Sequence, residues 1–220
     1  MGNILLSRAR YILAKKGLPA LIKRGTLYFI RITFFYGTFY LYEHTIKERK
    51  EEEYLPRIDK FTFVIINEDK QVRKMIDKGF ENIYEAEVRV DVRKCLENGA
   101  IAFCFFINKE LAHIGWVALN EQAKNCFDIV PYYVDFFHGQ ACTGGTVTLP
   151  KYGGKGFMQY GYYQRFEFLR RKSYKTSRNS VAKGNIAAEK AHGKFLPRIY
   201  AKGKLIRLFK WTYWKQTPLE

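Results

Sequence analysis

The amino-acid sequence predicts an α+β fold in which a mixed, mostly antiparallel central sheet is flanked by helices, with a helical extension at the N-terminus. Three observations support this prediction. Short segments rich in β-branched and aromatic residues alternate with helical segments, several of which end at glycine. Two apolar segments are joined only by Asn108-Lys109-Glu110, a connection of hairpin size. Hydrophobic residues make up 47% and aromatic residues 17% of the 220 residues, so a core can form and general disorder is excluded.

Residues 1–50 are predicted to form a basic, aromatic, helical extension. Apolar residues recur at helical spacing on both sides of Pro19, which divides two helices. The following segment, Leu27–Tyr42, contains Arg31 and Gly37, and its 16 residues fall short of the ~20 needed to cross a bilayer. We therefore expect no membrane-spanning helix here. An interfacial helix with an aromatic face and simple packing of these aromatic residues on the main domain both remain open.

Residues 51–220 are predicted to form the main domain, after a charged linker over Lys47–Glu53. Its predicted strands are rich in Val, Ile, Thr and aromatic residues. They are Phe61–Ile66, Ala100–Ile107, Leu111–Leu119, Ile129–Phe137, Thr143–Leu149, Thr176–Val181 and Ile206–Trp211. The predicted helices are Glu68–Lys78, Val92–Asn98, Phe157–Lys172 and Asn185–Lys194.

The net charge of +17 is unevenly distributed along the chain. Residues 1–42 carry +7 with no acidic residue, residues 43–150 carry −4, and residues 151–220 carry +14. A basic surface attracts polyanions, which include nucleic acid, anionic lipid and phosphorylated small molecules. Nucleic acid is disfavoured among these, because the sequence has no helix-turn-helix, zinc-finger or RNA-recognition signature.

The four cysteines, Cys95, Cys104, Cys126 and Cys142, show no pattern of a bound metal or of a disulfide framework. No pair has the spacing Cys-x-x-Cys, and no group of histidines accompanies them, so we expect no metal site. Reduced cysteines are typical of a cytosolic protein. The N-terminus lacks the layout of a secretory signal, because basic residues interrupt its apolar stretches. A cytoplasmic location, with contact to the inner membrane surface as a further option, is therefore expected.

The segment Thr146–Met158, TVTLPKYGGKGFM, carries the clearest chemical signal. A strand ends at Pro150, and a loop containing Gly153, Gly154 and Gly156 leads directly into a helix. Glycines allow successive backbone N–H groups to face one point, and a helix N-terminus adds a partial positive charge. The segment therefore predicts an anion site suited to a pyrophosphate. It matches neither a Walker A loop nor a dinucleotide-binding fingerprint.

This segment resembles the acetyl-CoA-binding motif of the GNAT (Gcn5-related) N-acetyltransferase superfamily. Thr148-Leu149-Pro150 stands where that family has Val-x-Pro, and Gly153 to Met158 stand where it has the six-residue loop. Downstream, Asn185 opens NIAAEKAH, which resembles the family's Asn-x-x-Ala-x-x-x-Tyr with His192 at the tyrosine position. The resemblance covers about residues 58–212. Gly153 and Met158 depart from the family's usual loop residues.

The resemblance implies an enzyme that transfers an acetyl group from acetyl-CoA, used as a co-substrate, to a primary amine of a small molecule or amino sugar by direct attack. It implies that the cofactor-binding residues are those of the strand edge, the loop and the second helix start, namely Val147, Thr148, Leu149, Gly153, Gly154, Lys155, Gly156, Phe157, Met158 and Asn185. Lys151, Arg178 and Lys183 are further candidates for phosphate contacts.

Candidate catalytic residues are fewer. His192 is a candidate general acid near the sulfur, because an ordinary histidine titrates near neutrality. His138 and Asp135, which precede the loop-bearing strand, are candidates for the base, and Glu87 and Asp91 are weaker ones. Each also has a simpler interpretation as a surface or capping residue.

Two alternatives concern partners rather than catalysis. One is a non-catalytic, basic, peripheral membrane-binding protein with a GNAT-like fold, which would bind an anionic membrane surface through residues 1–42. The other is a homodimer formed through the last strand region, Ile206–Trp214.

Overall fold

The computed structural model describes residues 34–84 and 90–219 and the isolated residue Pro19. The strands are β1 (Phe34–Thr45), β2 (Thr62–Ile66), β3 (Ile101–Ile107), β4 (Glu110–Ala118), β5 (Gln140–Thr148), β6 (Thr176–Ala182), β7 (Arg198–Leu208) and β8 (Trp211–Pro218). The α-helices are α1 (Asp69–Asp77), α2 (Val92–Glu97), α3 (Glu121–Phe127), α4 (Phe157–Arg171) and α5 (Ile186–Gly193). Short 3-10 helices lie at Glu51–Glu53, Phe136–His138 and Pro150–Tyr152. Within these described ranges, none of the helices is both long and apolar enough to cross a membrane.

The strands form one eight-stranded sheet in the order β2-β3-β4-β5-β6-β1-β7-β8. The pairs β2–β3, β3–β4, β4–β5 and β6–β1 are antiparallel, whereas β5 and β6 run parallel. The parallel pair is possible because α4 provides the crossover between the two strands. The predicted α+β class with a mixed, mostly antiparallel sheet is therefore confirmed.

Helices cover both faces of the central strands. α4 packs on β3, β4 and β5, and its apolar side chains join an aromatic core that includes Phe103, Phe105 and Phe166. Each buried phenylalanine contributes about 2 kcal/mol of hydrophobic stabilisation. Phe127 of α3 packs on the opposite face, where it stacks with Trp116 of β4. Successive strand residues point to opposite faces, so Trp116 faces α3 while the neighbouring Gly115 faces α4.

The chain divides into two compact units. The larger comprises residues 39–203 and 216–220 and contains the aromatic core. Of the smaller, the structure describes Pro19 and residues 34–38 and 204–215. Within it, Trp211 and Tyr213 stack with their ring centroids 6.1 Å apart, and both are exposed.

The predicted helix over Leu27–Tyr42 is wrong in its described part. Phe34–Thr45 forms the long strand β1, which pairs antiparallel with β6 from Phe39↔Ala182 to Thr45↔Thr176. Bulky aromatic residues suit a pleated sheet, and a long-range partner 130 or more positions away decides between strand and helix here. The predicted domain boundary at residue 50 would therefore separate β1 from the sheet in which it pairs. The predicted helices of residues 1–33 lie outside the described residues.

Two further predictions of secondary structure are corrected. Ile129–Phe137 is not a strand but an irregular segment followed by a 3-10 helix, because Pro131 lacks an N–H for a ladder and Asp135 caps the short helix. The predicted last strand, Ile206–Trp211, instead spans the turn between β7 and β8. The helix α3, capped by the Asn120 side chain accepting from Ala123 N at 2.8 Å, was not predicted.

Candidate active site between strands β5 and β6

A wedge-shaped gap opens between the parallel strands β5 and β6. Their pairing extends only from Gln140↔Thr176 to Cys142↔Arg178. Beyond this point β5 continues to Thr148 with a partner only on its β4 side, among the described strands, while β6 continues to pair with β1. The backbone edge of β5 that faces β6 is therefore available to an extended ligand, which could hydrogen-bond to it as an added strand would.

A cavity of about 140 Å³ lies at the start of this gap. Gly144, Gly145 and Thr146 of β5 line one side, and residues 180–182 of β6 line the other. The register of β4 and β5 shifts at this position, so that β5 bulges. A bulge leaves the backbone groups of its extra residue outside the ladder, where they can donate to a ligand.

Gly145 makes the bulge possible. Its φ is +55°, and a Cβ there would lie 2.7 Å from Cδ1 of Trp116 and 2.8 Å from Cβ of Phe127. A larger residue would therefore be strained and would also displace the packed ring on the α3 face. The bulge, and with it the gap, therefore depends on glycine at position 145.

A second cavity, of about 370 Å³, lies beside the glycine-rich loop between β5 and α4. The loop residues Gly153 to Met158 line it together with Thr148, and residues of α5 line the other side. Met158 belongs to the linings of both cavities, so the two are neighbours along one groove. The strand edge, the loop and the second helix start, all predicted from sequence, are thus brought together.

Successive backbone N–H groups of the loop and of the first turn of α4 lack an intramolecular acceptor among the described residues. The first helical bond of α4 is Tyr160 N to Gly156 O at 3.1 Å, and the N–H groups from Gly154 to Gln159 have no acceptor among the described residues. Gly156 caps the helix with φ +91°, and a Cβ there would lie 3.2 Å from Cα of Pro56. The loop is fixed from the other side by Arg57 N, which donates to Lys155 O at 2.8 Å. These N–H groups and the start of a 15-residue helix form a pre-organised anion site.

Arg57, Lys155 and Lys190 supply the cationic side chains around this second cavity. Two of the basic residues that the sequence suggested for phosphate contacts instead form ion pairs with glutamates. Lys151 pairs with Glu110, and Arg178 pairs with Glu43 at 2.7 Å. Sequence reasoning did not find Arg57 or Lys190. Arg57 belongs to no motif and lies in a loop almost 100 residues before the glycine-rich loop.

His192 lies on the wall of the smaller cavity, but both of its ring nitrogens are bonded within the protein. Asn179 Nδ2 donates to His192 Nε2 at 3.1 Å, so Nδ1 carries the proton and donates to His44 Nε2 at 3.0 Å. Burial lowers the pKa of His192 well below its usual value, and His44 and Arg165 add to this effect. A neutral imidazole with both nitrogens engaged cannot protonate a thiolate. These contacts favour a packing role for His192, and its role as general acid stays a prediction.

His138 and Asp135 are not brought to the cleft. They lie in and before the 3-10 helix that precedes Gln140, whereas the gap between β5 and β6 opens only beyond Cys142. His138 Nδ1 pairs with Asp135 Oδ2 at 2.8 Å, and the His138 side chain is 81% exposed. Neither residue lines either cavity. Of the weaker candidates, Asp91 caps α2 by accepting from Lys94 N, and Glu87 lies outside the described residues.

Asn185 lies at the mouth of the smaller cavity and caps α5. Its Oδ1 accepts from Ala188 N at 3.2 Å, as the simpler interpretation of this residue expects. The side-chain amide Nδ2 has no acceptor among the described residues. Asn185 can therefore cap the helix and still donate to a ligand in the groove.

Tyr162 is the polar side chain of the cleft that sequence reasoning missed. It lies on α4 one turn after Met158, lines the smaller cavity, and interacts through its side chain with Thr146 and Arg165. Its ring packs 4.4 Å from the ring of His192, measured between centroids. Burial raises the pKa of Tyr162, so its hydroxyl stays protonated and can donate a hydrogen bond. The spacing Met158, Tyr162, Phe166 would have indicated the face of α4 that carries it.

No protein-family model and no curated protein sequence matches the chain. Among solved structures, it is similar to an acetyltransferase assigned to the GNAT family from Novosphingobium aromaticivorans, with a TM-score of 0.51 and 13% identity over 80% of this chain and 66% of that one. A GNAT-family acetyltransferase from Colwellia psychrerythraea gives a TM-score of 0.45 and 15% identity over 81% and 57%. A tandem GNAT protein from the clavulanic acid biosynthesis pathway gives 0.42 and 13% over 89% and 60%.

The likeness to the first of these structures concerns the fold alone. The chain spans between 57% and 66% of the length of the three proteins. Together with the open gap in the sheet, the comparison defines a GNAT-like fold.

Proposed function

We propose that this protein is an acyl-CoA-dependent N-acyltransferase that transfers an acetyl group from acetyl-CoA to a primary amine of a small molecule. One observation carries the proposal. A single groove joins a cluster of free backbone N–H groups at a helix start to an unpaired strand edge and a small cavity at a bulge. That order suits a pyrophosphate, an extended amide-containing arm and a reactive acyl group.

The cofactor assignments of the sequence fit this groove. The N–H groups from Gly154 to Gln159 would bind the pyrophosphate, with Lys155, Arg57 and Lys190 adding positive charge. The edge of Val147, Thr148 and Leu149 lies between the loop and the bulge and would pair with the pantetheine arm. Asn185 would donate to the same arm from the β6 side.

The reaction is direct acyl transfer. The nitrogen lone pair of the neutral amine attacks the thioester carbon, a C–N bond forms, and the carbonyl oxygen becomes negatively charged. The C–S bond then breaks, its electron pair leaves with the sulfur, and the nitrogen loses its proton. Backbone N–H groups at the bulge would stabilise the oxygen, and the Tyr162 hydroxyl would donate to the sulfur. Among the described residues, the lining of the smaller cavity contains no carboxylate, so the amine proton would pass to water.

A thiol-release assay tests this proposal. Incubation with acetyl-CoA and a panel of primary amines should release free CoA at a rate that depends on the amine and rises with pH towards the amine's own pKa. Tyr162→Phe should lower kcat by about 10- to 100-fold, with little change in KM for acetyl-CoA. Tyr213→Phe, an exposed tyrosine of the smaller unit, serves as the matched control. Release at the same rate with and without every amine would contradict the transferase proposal.

A specific observation also favours membrane docking as a second function. At the turn between β7 and β8, Leu208, Phe209, Trp211 and Tyr213 are 44%, 62%, 57% and 42% exposed, and Lys210 is exposed among them. Residues 190–219 contain no acidic residue. Aromatic rings beside lysines are typical of surfaces that bind at the headgroup level of an anionic bilayer.

Co-sedimentation with vesicles tests this second function. The full chain should bind phosphatidylglycerol-containing vesicles and be released by salt, but should not bind vesicles of phosphatidylcholine alone. Lys210→Glu with Lys215→Glu should reduce binding at least tenfold. Lys60→Glu with Lys74→Glu changes the charge equally at exposed sites of the larger unit and should have a smaller effect. Equal losses in the two double variants would contradict docking through this turn.

A further inference from the structure

Arg165 is a fully buried arginine beneath the cleft. It is 0% exposed and lies on the face of α4 that packs on the sheet. Its Nε donates to Gly161 O at 2.9 Å, and Nη1 donates to Thr146 Oγ1 at 3.2 Å and, more weakly, to Gly144 O at 3.5 Å. The guanidinium carbon lies 3.8 Å from the centroid of the Tyr162 ring. Three of these neighbours, Thr146, Gly144 and Tyr162, line the cavity at the bulge.

This buried cation has no anionic partner among the described residues. It forms no ion pair with a carboxylate there, and its Nη2 is buried with no acceptor. The buried carboxyl group of Asp128 accepts hydrogen bonds from Tyr132, Ser180 and Val130 N instead.

The titratable groups that face Arg165 are all neutral. On α4 and β5 these are Tyr162 and Cys142, whose pKa values are raised by burial. On β1, β4 and α5 they are His44, His113 and His192, whose pKa values are lowered by burial and, in part, by the charge of Arg165 itself. Burial lowers the pKa of Arg165, but the guanidinium stays charged near neutral pH because an arginine pKa starts above about 12.

The sheet provides room for this charge. A Cβ on Gly115 of β4 would lie 2.6 Å from Nη1 and 2.8 Å from Cζ of Arg165. A buried charge without a partner destabilises a fold, and an apolar side chain of similar size would be at least as stable there. Features that oppose stability in this way are expected at functional sites. The charge of Arg165 at this position therefore indicates a functional role.

We infer that the buried guanidinium of Arg165 stabilises the negative charge that develops in the cleft during acyl transfer, first on the thioester oxygen and then on the departing sulfur of CoA. The inference rests on the proposed function. Arg165 acts through Thr146, Gly144 and Tyr162, which separate it from the cavity, so it is a positioning residue rather than a catalytic one. A fixed charge in such a dry, low-dielectric setting is far more effective than one in water.

The acidity of the thiol of bound CoA tests the inference without any amine acceptor. Ultraviolet absorbance of the thiolate, followed against pH, gives the pKa of the thiol in the complex. In the wild-type protein this pKa should be lower than that of free CoA by about one pH unit, because a nearby cation favours the thiolate. In Arg165→Met the lowering should be lost, and Arg165→Lys should retain part of it. Arg170→Met, a surface position on the same helix, should behave as the wild type.

Two accompanying readouts separate function from structure. Arg165→Met should melt at or above the wild-type temperature, and its kcat should fall about 10- to 100-fold with KM for acetyl-CoA nearly unchanged. An unfolded or clearly less stable Arg165→Met would overturn the inference, because the guanidinium would then be a structural group. The same thiol pKa in wild type and Arg165→Met would overturn it too, while leaving the proposed function intact. Failure of the wild type to bind CoA would overturn both.

Discussion

Replacing Ala187 by glutamate is expected to reduce the affinity for acetyl-CoA by about 10- to 100-fold. Ala187 is exposed on α5 and lines the cavity beside the glycine-rich loop. Two unit charges about 5 Å apart at an effective dielectric constant of about 20 repel by about 3 kcal/mol, which corresponds to about 100-fold. Solvent and salt reduce this value at an exposed site. A glutamate there would also pair with Lys190, three positions on, and withdraw that cation from the phosphates.

Ala187→Gln is the matched control. Glutamine has nearly the same size and helix propensity as glutamate but carries no charge. Its affinity for acetyl-CoA, measured by calorimetric titration, should stay within about threefold of the wild type. Gly156→Glu is a less informative variant, because its positive φ and the nearby Pro56 backbone would disturb the loop itself. Unchanged binding by Ala187→Glu would exclude the phosphates of CoA from this cavity.

Acidification from pH 7 to pH 5 is expected to lower the free energy of unfolding by several kcal/mol. His44, His113 and His192 are buried and neutral, and burial lowers the pKa of His44 to about 3. In the unfolded chain each would titrate near 6.5. Between these values only the unfolded chain binds the proton, so stability falls as pH falls, by about 2 kcal/mol for each histidine between pH 7 and pH 5. Above about pH 8 the three groups are neutral in both states and contribute almost no slope.

Urea denaturation across this pH range measures the effect. The slope of the unfolding free energy against pH should correspond to an uptake of close to three protons near pH 5.5, and His113→Gln should reduce the uptake by one. His138→Gln is the control, because His138 is the exposed histidine and is not part of the buried cluster. A flat profile between pH 7 and pH 5 would contradict the buried, neutral state of these imidazoles.

Local features of the site could be predicted from the sequence. The glycine-rich loop, the helix that follows it and the cap at Asn185 each depend on neighbours within a few residues. They can be recognised in the sequence because a positive φ, an unpaired helix N-terminus and a capping side chain each require particular residue types. The resemblance to the GNAT superfamily, and with it the predicted fold, also depends on these local features.

Features that depend on strand pairing between distant segments could not be predicted from the sequence. The β1 strand inserts between β6 and β7, and its aromatic residues fit a helix and a strand equally well until the partner strand is known. Arg57 reaches the loop through a backbone bond between segments far apart in sequence. The histidine at position 192 matched a family position, but its two bonds to β1 and β6 depend on that same strand insertion.

Arg165 could be predicted from the sequence only in part. A charged residue between Tyr162 and Phe166, on the apolar face of α4, was visible in the sequence as a departure from the hydrophobic pattern. The pattern alone does not distinguish a side chain that reaches the surface from one that stays buried. Only the contact with Gly115 and the absence of an anionic partner among the described residues give that departure a functional meaning.

Calorimetric titration of the wild-type protein with acetyl-CoA is the decisive test of the proposed activity, because transfer requires this ligand to bind in the groove between β5 and β6. We predict binding of one acetyl-CoA per chain with a dissociation constant in the micromolar range, and competition by CoA but much weaker competition by pantetheine, which lacks the phosphates. Two results would exclude the proposed binding mode: no binding of acetyl-CoA up to millimolar concentration, or competition by pantetheine that is as strong as competition by CoA.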